Sequence, residues 1–429
     1  MGKRRVQFRV LLFFSDFVIF VIFVVKGFAN KLSALESEKG KMNQTTGLKE
    51  KFEALYGTTP RIFRAPGRVN LIGEHTDYND GFVMPAAIGF STFVAIAPRA
   101  DRRLVISSEG FADQADFDLS ELTARRSRPP GEEHWSDYVC GVAATLEQAG
   151  FRLPGANLLV RGEVPIGAGL SSSAAIEVAT GFALLTVAGF SVDRVALARL
   201  CQRAENEFVD MRCGIMDQFI SCNGQAGHAL LLDCRSLDYR LLPLADEVRL
   251  VICNTMVKHE LASGEYNRRR EQCEAGVHHL AQHLPGIRAL RDVTLEQLET
   301  YGRDLPEVVY RRCRHVISEN ARVLAAAEAL ERSDLAAFGQ LMNESHRSLR
   351  GDYEVSCAEL DLMVNLAGQL AGVYGARMTG GGFGGCTINL VSAENVDDFR
   401  QAVTSGYQQA TGYTPEIYIC SASAGADEQ

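Results

Sequence analysis

The sequence predicts an α+β protein, because helical and strand patterns both occur but do not alternate regularly along the chain. Short apolar runs between turn residues, Leu230–Leu232 and Leu250–Ile252, are typical of buried strands. Ala262–His283 and Val308–Leu330 carry interspersed charges on one face and predict helices. Helix therefore dominates the stretch from His259 to Asp352, and regular strand–helix–strand units are not expected.

The first half of the chain supplies most of the other predicted strands. Ile62–Arg64 and Phe82–Met84 are expected to be strand ends on either side of a polar, turn-rich loop, and Thr92–Ala97 and Ala156–Glu163 to be further strands. Near the C-terminus, Met378–Leu390 holds glycines between two apolar runs, which predicts a strand, a loop and a second strand.

Two helices are predicted between these strands. The small and apolar run Ser172–Ala188 is typical of a buried helix, and Gly189 is a helix stop. Asp193 is placed to cap a second helix that extends to about Phe208. A domain boundary is expected near Cys222–Gln225. Together with the end of the N-terminal extension at residue 41, this boundary divides the chain into residues 1–41, 42–224 and 225–429.

The N-terminal extension, residues 1–41, differs from the rest of the chain. A basic flank precedes an almost wholly apolar run, Phe8–Val25, as in a signal peptide or a membrane anchor. Met42 offers a second start, after which Leu48–Tyr56 has the pattern of an amphipathic helix. A mis-assigned start, a cytoplasm-facing anchor and secretion are the three interpretations that remain open.

The composition indicates a small-molecule partner. The chain has 429 residues, of which 46% are hydrophobic, so a sizeable core in two domains is expected. The chain is acidic, with a formal net charge of -9 and a pI of about 5.6, whereas a nucleic-acid-binding protein usually carries a basic surface. The 11 cysteines include no Cys-x-x-Cys pair and no zinc-ligand spacing, so we expect reduced thiols in a cytosolic protein.

The first polar cluster is Arg64–Tyr78, which packs arginines, carboxylates, a histidine and an asparagine into one loop around a Pro-Gly turn. Carboxylates accept hydrogen bonds from sugar hydroxyls, and an imidazole can donate or accept one. Such a density of short polar groups suits a polyol, although a solvated turn with local ion pairs would have the same composition.

The second cluster, Pro165–Ala175, joins a glycine-containing loop to the start of the helix at Ser172. Glycines allow close backbone approach, and the free N–H groups and positive dipole of a helix N-terminus favour an anion such as a triphosphate. Serine hydroxyls can also bind Mg²⁺. No Gly-Lys-Ser/Thr follows, so this is not a P-loop, and a flexible loop with a serine cap is the alternative.

The third cluster, Met378–Cys386, is a glycine run that allows close backbone packing or ligand approach, and a tight bend without a ligand fits it equally well. Two acidic residues complete the set. Asp217 is a candidate for chemistry but could instead cap a helix that begins at Gln218. Glu205 lies near the end of the preceding helix and could instead face solvent.

The three clusters, in the order in which they occur, resemble the motifs of the GHMP small-molecule kinases. The resemblance covers the chain from Leu48 to the C-terminus. Gly67–Tyr78 resembles the signature of galactose-phosphorylating members, Pro165–Ser173 resembles the Pro-x-x-x-Gly-Leu-Ser-Ser-Ser phosphate loop, and Met378–Cys386 resembles the glycine-rich motif behind that loop. The resemblance implies an N-terminal domain like ribosomal protein S5 and a ferredoxin-like C-terminal domain, with the active site between them.

The resemblance further implies transfer of the γ-phosphate of ATP to the 1-hydroxyl of galactose, giving galactose 1-phosphate and ADP, with Mg²⁺ as the metal. Asp217 resembles the catalytic aspartate, and Arg68 resembles the arginine that stabilises it and the transferring phosphate. The implied galactose contacts are Glu74, His75, Asp77, Gly214 and Tyr266. The implied ATP contacts are Gly167, Ala168, Gly169, Leu170, Ser171, Ser172, Ser173 and Ala174, and the implied metal ligands are Ser173 and Glu205.

The chain departs from the family pattern at two points. Arg212 stands where many members have a proline, two residues before Gly214, which leaves the shape of the site there less defined. Ordinary members have no counterpart of the segment before Met42. We therefore expect a cytoplasmic monomer that binds no nucleic acid, with a membrane as partner only if the N-terminal segment is real.

Two alternatives keep the same fold. The first is a kinase of a related sugar, such as N-acetylgalactosamine or arabinose, although Thr76 and Asn79 fit the galactose-type signature better. The second is a galactose sensor without catalysis. The intact run Gly169–Ala175, with both Asp217 and Glu205 present, argues against a sensor.

Overall fold

The structure is a computed structural model that describes residues 45–122, 134–258 and 262–429. The predicted N-terminal extension with its apolar run Phe8–Val25 lies outside these described residues. Within the described ranges, no helix combines the length and the apolar character that a bilayer crossing requires.

The chain divides into two compact units at residue 60. The described part of the first unit holds helix α1, residues 45–56, which confirms the helix predicted at Leu48–Tyr56. The second unit, residues 61–429, contains the sheets and the other helices.

The strands of the described residues have the following bounds: β1 Arg61–Asn70, β2 Phe82–Val83, β3 Pro85–Arg99, β4 Arg103–Ser108, β5 Ala115–Asp118, β6 Gly155–Gly162, β7 His228–Asp233, β8 Tyr239–Pro243, β9 Val248–Lys258, β10 Val373–Thr379, β11 Gly384–Ser392, β12 Glu416–Cys420 and β13 Asp427–Glu428. The helices after α1 are α2 Leu119–Leu122, α3 Asp137–Gln148, α4 Ser172–Val187, α5 Arg194–Ala204, α6 Met216–Asn223, α7 Ala262–Leu280, α8 Leu295–Tyr301, α9 Glu307–Glu331, α10 Leu335–Ser348, α11 Ala358–Gly368 and α12 Val396–Thr411.

The N-terminal half of the second unit is built on a six-stranded sheet with the order β13-β1-β3-β6-β4-β5. Its pairs are antiparallel except β4–β6, which is parallel. Helix α4 packs on β1 and β3, and its apolar residues join those of α3 and α5 in one core. A smaller sheet, β2-β7-β8, pairs β2 of the N-terminal half with β7 and β8, which precede β9 in the chain.

The C-terminal half contains a four-stranded antiparallel sheet with the order β10-β11-β9-β12. The chain runs from β9 through helices to β10, by a tight turn to β11, and through α12 to β12. This is the connectivity of a split βαβ unit, so the ferredoxin-like arrangement that was predicted is confirmed. Phe399 and Val403 of α12 pack with Val251 and Ala376 of the sheet.

The predicted α+β class is confirmed, and so are its helices. The helix expected at Ser172–Ala188 is α4, and the carboxylate of Asp193 accepts hydrogen bonds from Val195 and Ala196 at the start of α5. A single π-helical turn, Glu205–Val209, carries that helix to the predicted end. The domain boundary near residues 222–225 stays a prediction.

The loop expected after Arg64 is wrong in its first part. Strand β1 continues through Pro66 and Gly67 to Asn70 without a chain-reversing turn, and the irregularity in its pairing with β3 lies in β3, where residues 88–90 stand opposite Gly67. Arg68 and Asn70 therefore lie on a strand, whereas the residues that follow form the loop before a short 3-10 turn at Asp77–Asn79. A strand holds Arg68 more rigidly than the predicted loop would.

Candidate active site

The first polar cluster opens onto a cavity of about 150 Å³. Eight residues that the sequence analysis selected from distant parts of the chain line this cavity: Arg68, Glu74, His75, Asp77, Glu205, Gly214, Asp217 and Tyr266. Met211, Cys213, Met216, Gly380 and Gly381 complete the lining. The fold thus brings the candidate catalytic and sugar-binding side chains to one place.

Asp217 is held by two neighbours from the N-terminal half. Arg68 donates from Nε to Oδ1 and from Nη2 to Oδ2, both at 2.7 Å, which is a bidentate pair. The Ser171 hydroxyl also donates to Oδ2. Asp217 lies in the first turn of α6 and does not cap it, because that helix already begins at Met216. The carboxylate is therefore fixed in direction at the edge of the cavity.

The Arg68 guanidinium also reaches the candidate phosphate loop. Its Nη1 donates to the carbonyl oxygen of Gly169 at 2.5 Å, while the side chain is buried. Burial by itself would lower the pKa of this guanidinium, but Asp217 and Glu74 raise it, so the charge is retained. Arg68 thus places a positive charge between the carboxylate and the loop.

Glu74 is buried at the wall of the cavity and has its own set of donors. Oε2 accepts from Asn70 Nδ2 at 3.0 Å, and Oε1 accepts from the Gly380 backbone N–H at 2.7 Å. The fully buried Arg377 lies 3.5 Å from Oε1. These contacts join the first cluster to the third, which comes from the other half of the chain.

His75 and Asp77 are both shifted away from their usual protonation behaviour. Burial is the main cause that lowers the pKa of His75 well below its usual value, and the nearby His315 and Arg269 lower it further. The imidazole is therefore neutral near pH 7. Burial, followed by the charge of Asp217, raises the pKa of Asp77 to about 7. Perturbed groups of this kind are concentrated in functional sites.

Gly214 lies directly against the Asp77 carboxylate. A Cβ at this position would be 1.9 Å from Oδ2 and 2.1 Å from Cγ of Asp77. Any side chain here would displace the carboxylate, so glycine is required by the close approach. Tyr266 closes the same side of the cavity, with its ring 5.5 Å from that of His75 and 5.4 Å from that of Tyr78.

The serine loop, residues 167–174, leads into the N-terminus of α4. Ser171 has a left-handed backbone, and its hydroxyl donates a hydrogen bond to Asp217. Its side chain does not cap α4, so the alternative of a simple serine cap is wrong. The third cluster packs behind this loop as expected. A Cβ at Gly380 would lie 2.9 Å from the carbonyl oxygen of Gly169, so only glycine permits this packing.

A second cavity, of about 330 Å³, begins where the serine loop ends. Ser172 and Ser173 line one side, and the aromatic rings of Phe111 and Trp135 line another. These two rings are stacked, with centroids 5.4 Å apart and planes 5° from parallel. A flat aromatic surface beside a loop suited to phosphate has the chemistry of a purine nucleotide site.

Ser173 and Glu205 meet at the boundary between the two cavities. The Glu205 carboxylate accepts a hydrogen bond from Gln218 Nε2 at 2.6 Å, and the nearby Ser173 hydroxyl partly offsets the rise in its pKa that burial causes. A hydroxyl and a carboxylate are the hard oxygen donors that Mg²⁺ prefers, and Mg²⁺ takes its other ligands from water and substrate phosphates. Across the described ranges there is no group of three or more His, Cys, Asp or Glu side chains able to hold a metal without such help.

All 11 cysteines lie within the described residues, and each is a free thiol. Cys213 lines both the first cavity and a neighbouring polar cavity, and its Sγ lies 3.3 Å from Glu205. No role for this cysteine was predicted from the sequence.

Comparison with sequence-family models defines the class first. The model of the GHMP kinase N-terminal domain matches residues 137–225, and that of the GHMP kinase C-terminal domain matches residues 326–409. A crystal structure of a mevalonate kinase, 18% identical, has a TM-score of 0.59 over 84% of this chain and 98% of its own, which agrees in fold. The galactokinase galactose-binding signature matches residues 50–98.

The relatives narrow the class. A galactokinase of Roseiflexus sp. (strain RS-1) is 49% identical over 90% of this chain and 97% of its own, and one of Chloroflexus aggregans is 51% identical over 87% and 95%. The crystal structure of Lactococcus lactis galactokinase complexed with galactose is 37% identical, with a TM-score of 0.85, over 90% of this chain and all of that one. The chain therefore belongs to the galactokinase family of the GHMP kinases, and the family resemblance seen in the sequence is confirmed.

Sequence reasoning missed several residues that the structure brings to the two cavities. Trp135 is the only tryptophan of the chain, but nothing in its spacing linked it to Phe111 or to the serine loop. Arg377 offered a signal that was not used, since it is a lone charge in the strand that enters the third cluster. A fully buried arginine needs an anionic partner, here Glu74.

Proposed function

We propose that this chain transfers the γ-phosphate of ATP to the 1-hydroxyl of galactose, giving galactose 1-phosphate and ADP. The observation that carries the proposal is the place of Asp217. Its carboxylate borders the polar cavity and is held by Arg68, which also contacts Gly169 of the serine loop. A sugar hydroxyl and a terminal phosphate could therefore meet beside one fixed carboxylate.

In this proposal, galactose occupies the first cavity and its hydroxyls bind Glu74, His75, Asp77, Gly214 and Tyr266. The cavity is polar and small, as a monosaccharide site needs to be. His75 is neutral and can donate one hydrogen bond, and Asp77, with a pKa of about 7, can be a donor or an acceptor near neutral pH. The cavity thus offers both donors and acceptors to a polyol.

ATP is assigned to the serine loop and the second cavity. The phosphates would bind residues 167–174, where the first N–H groups of α4 have no partners within the helix. The adenine would lie against the stacked rings of Phe111 and Trp135. This arrangement directs the terminal phosphate toward Arg68 and the first cavity.

Asp217 would accept a hydrogen bond from the 1-hydroxyl and orient it toward the phosphorus. Phosphoryl transfer usually has a loose transition state, so proton removal can come late and the orientation of the nucleophile matters more than strong basicity. Arg68 offsets the negative charge that develops on the transferring group. Its bidentate pair with Asp217 keeps both groups in place before the substrates arrive.

Ser173 and Glu205 are the residues that would hold Mg²⁺. A hydroxyl oxygen beside a carboxylate fits the donor set that this ion prefers. When bound, the ion supplies charge neutralisation for the phosphates. We also propose that the enzyme is cytoplasmic, because its substrate ATP and its free thiols both suit a reducing, nucleotide-rich compartment. The monomeric state stays a prediction.

The first experiment is an ADP-release assay with galactose, N-acetylgalactosamine, arabinose and glucose, on the full chain and on the chain that starts at Met42. We expect turnover with galactose above the other sugars, and equal rates for both chains. Preferred turnover of another sugar would show that galactose is not the substrate, and binding without turnover would indicate a sensor. A loss of activity in the shorter chain alone would show that the extension is needed.

A second experiment tests the role of Asp217. Asp217→Asn should lower kcat by about 10²- to 10⁴-fold, the range for a group that handles the reacting proton, with little change in galactose affinity. Asp397→Asn is the matched control, because that carboxylate is 88% exposed on α12. An Asp217→Asn variant that folds normally and retains wild-type kcat would refute the assignment.

A further inference from the structure

A row of buried and half-buried polar groups leads from the first cavity into the C-terminal half of the chain. Nδ1 of His75 lies 2.8 Å from the Tyr78 hydroxyl, and that hydroxyl lies 2.7 Å from the hydroxyl of Tyr353. The Tyr353 hydroxyl is 3.2 Å from Sγ of Cys273. Tyr78, Tyr353 and Cys273 are termed the relay below.

The relay is well protected from solvent at its far end. Tyr353 and Cys273 are 0% and 1% exposed. The Tyr353 ring lies between two imidazoles, with centroids 4.7 Å from that of His75 and 4.6 Å from that of His315. A phenylalanine would fill this space equally well, whereas a buried hydroxyl is costly unless it has partners. The hydroxyl therefore serves hydrogen bonding and not packing.

A thiol and a hydroxyl can each donate or accept a hydrogen bond, so the row is continuous whichever end donates first. In the direction that starts at the thiol, Cys273 donates to Tyr353, Tyr353 donates to Tyr78, and Tyr78 donates to Nδ1 of His75.

This direction leaves one state for His75. A neutral imidazole has a single N–H, and when Nδ1 accepts a hydrogen bond the proton is on Nε2. Nε2 is buried at the cavity wall and has no hydrogen-bond partner among the described residues. It is the ring nitrogen that remains for a ligand in the cavity.

We propose that Tyr353 and Cys273 are positioning residues for the sugar, which act through Tyr78 to keep the His75 proton on Nε2 and to aim it at one sugar hydroxyl. The inference rests on the proposed function, because it takes the first cavity to be the sugar site. Neither residue touches the cavity itself, and both come from helical segments far along the chain from the galactose-binding signature.

The test uses three variants of the full chain. Tyr353→Phe keeps the ring between the imidazoles and removes only the hydroxyl. Cys273→Ala removes the last donor of the relay, and Cys273→Ser keeps a donor there. We expect Tyr353→Phe to raise KM for galactose about two- to tenfold, as for loss of one neutral hydrogen bond, with kcat nearly unchanged. Cys273→Ala should change KM in the same direction, and Cys273→Ser should restore it.

Deoxy sugars separate positioning from a general structural effect. KM and kcat are measured with galactose and with its 2-, 3-, 4- and 6-deoxy derivatives. The penalty of Tyr353→Phe should vanish on one derivative, the one that lacks the hydroxyl bound by His75, and His75→Ala should lose its penalty on the same derivative. Equal penalties on every sugar, or an effect confined to kcat or to thermal stability, would overturn the proposal.

Nitrogen NMR of histidine in the full chain without ligand gives a readout independent of turnover. His75 should carry its proton on Nε2 in the wild type, and Tyr353→Phe should shift this balance. A proton on Nδ1 in the wild type would overturn the relay. If the wild type does not phosphorylate galactose, the proposed function fails while this spectrum still decides the relay.

Discussion

Gly214→Ala tests whether the sugar site requires the close contact between the Gly214 backbone and the Asp77 carboxylate. The new Cβ would lie 1.9 Å from Oδ2 of Asp77, whereas a non-bonded contact needs about 3.5 Å. Asp77 cannot yield freely, because it is packed in the cavity wall and its Oδ1 accepts from the Tyr78 N–H at 3.0 Å. The carboxylate must therefore move by more than about 1 Å.

The size of the effect follows from that displacement. A shift of about 1 Å in a positioned group can cost about 10²-fold in rate, which is about 2.7 kcal/mol of transition-state stabilisation. Overpacking adds a loss of about 1–3 kcal/mol in the free energy of unfolding. We expect kcat/KM for galactose to fall about a hundredfold, while KM for ATP changes little because the serine loop is not touched.

The assay is ADP release with galactose and ATP varied in turn, together with urea unfolding of each variant. Gly368→Ala is the matched control, since a Cβ at that helical position meets no atom within 4 Å. It should leave kcat/KM unchanged and stabilise the protein slightly. If Gly214→Ala keeps kcat/KM within about threefold of the wild type, the assigned contact between Gly214, Asp77 and the sugar is wrong.

Two further predictions concern the groups around the cavities. The pKa of Asp77 is raised to about 7 in the folded protein, so folding binds a proton and stability is lost as the pH rises from about 4 to about 7. Asp77→Asn should therefore raise Tm at pH 8 but not at pH 4, and an offset that is the same at both pH values would contradict this. Trp135→Ala should raise KM for ATP about tenfold or more through lost stacking, with KM for galactose unchanged, as steady-state kinetics would show. A larger change for galactose than for ATP would place the nucleotide elsewhere.

The local pattern of the chain was sufficient for most of the fold. Helix α4 was predictable because it is a long run of small and apolar residues that stops at Gly189, and α9 because its charges lie on one face of a long segment. The error after Arg64 arose because a Pro-Gly pair signals a turn locally, whereas pairing with β3 keeps both residues within strand β1. Pairing between strands is a non-local term that the local sequence does not contain.

The candidate site shows the same division. The sequence by itself determined the residue types and clusters, because Arg68, Glu74, Asp217 and the serine loop lie in dense, unusual motifs. Only the tertiary structure decided which partners orient them. Arg377 beside Glu74 is one such partner, and Tyr353 behind His75 is another. Burial makes each of these contacts strong, and burial arises from segments about 280 to 300 residues apart in the chain, so no local pattern could predict it.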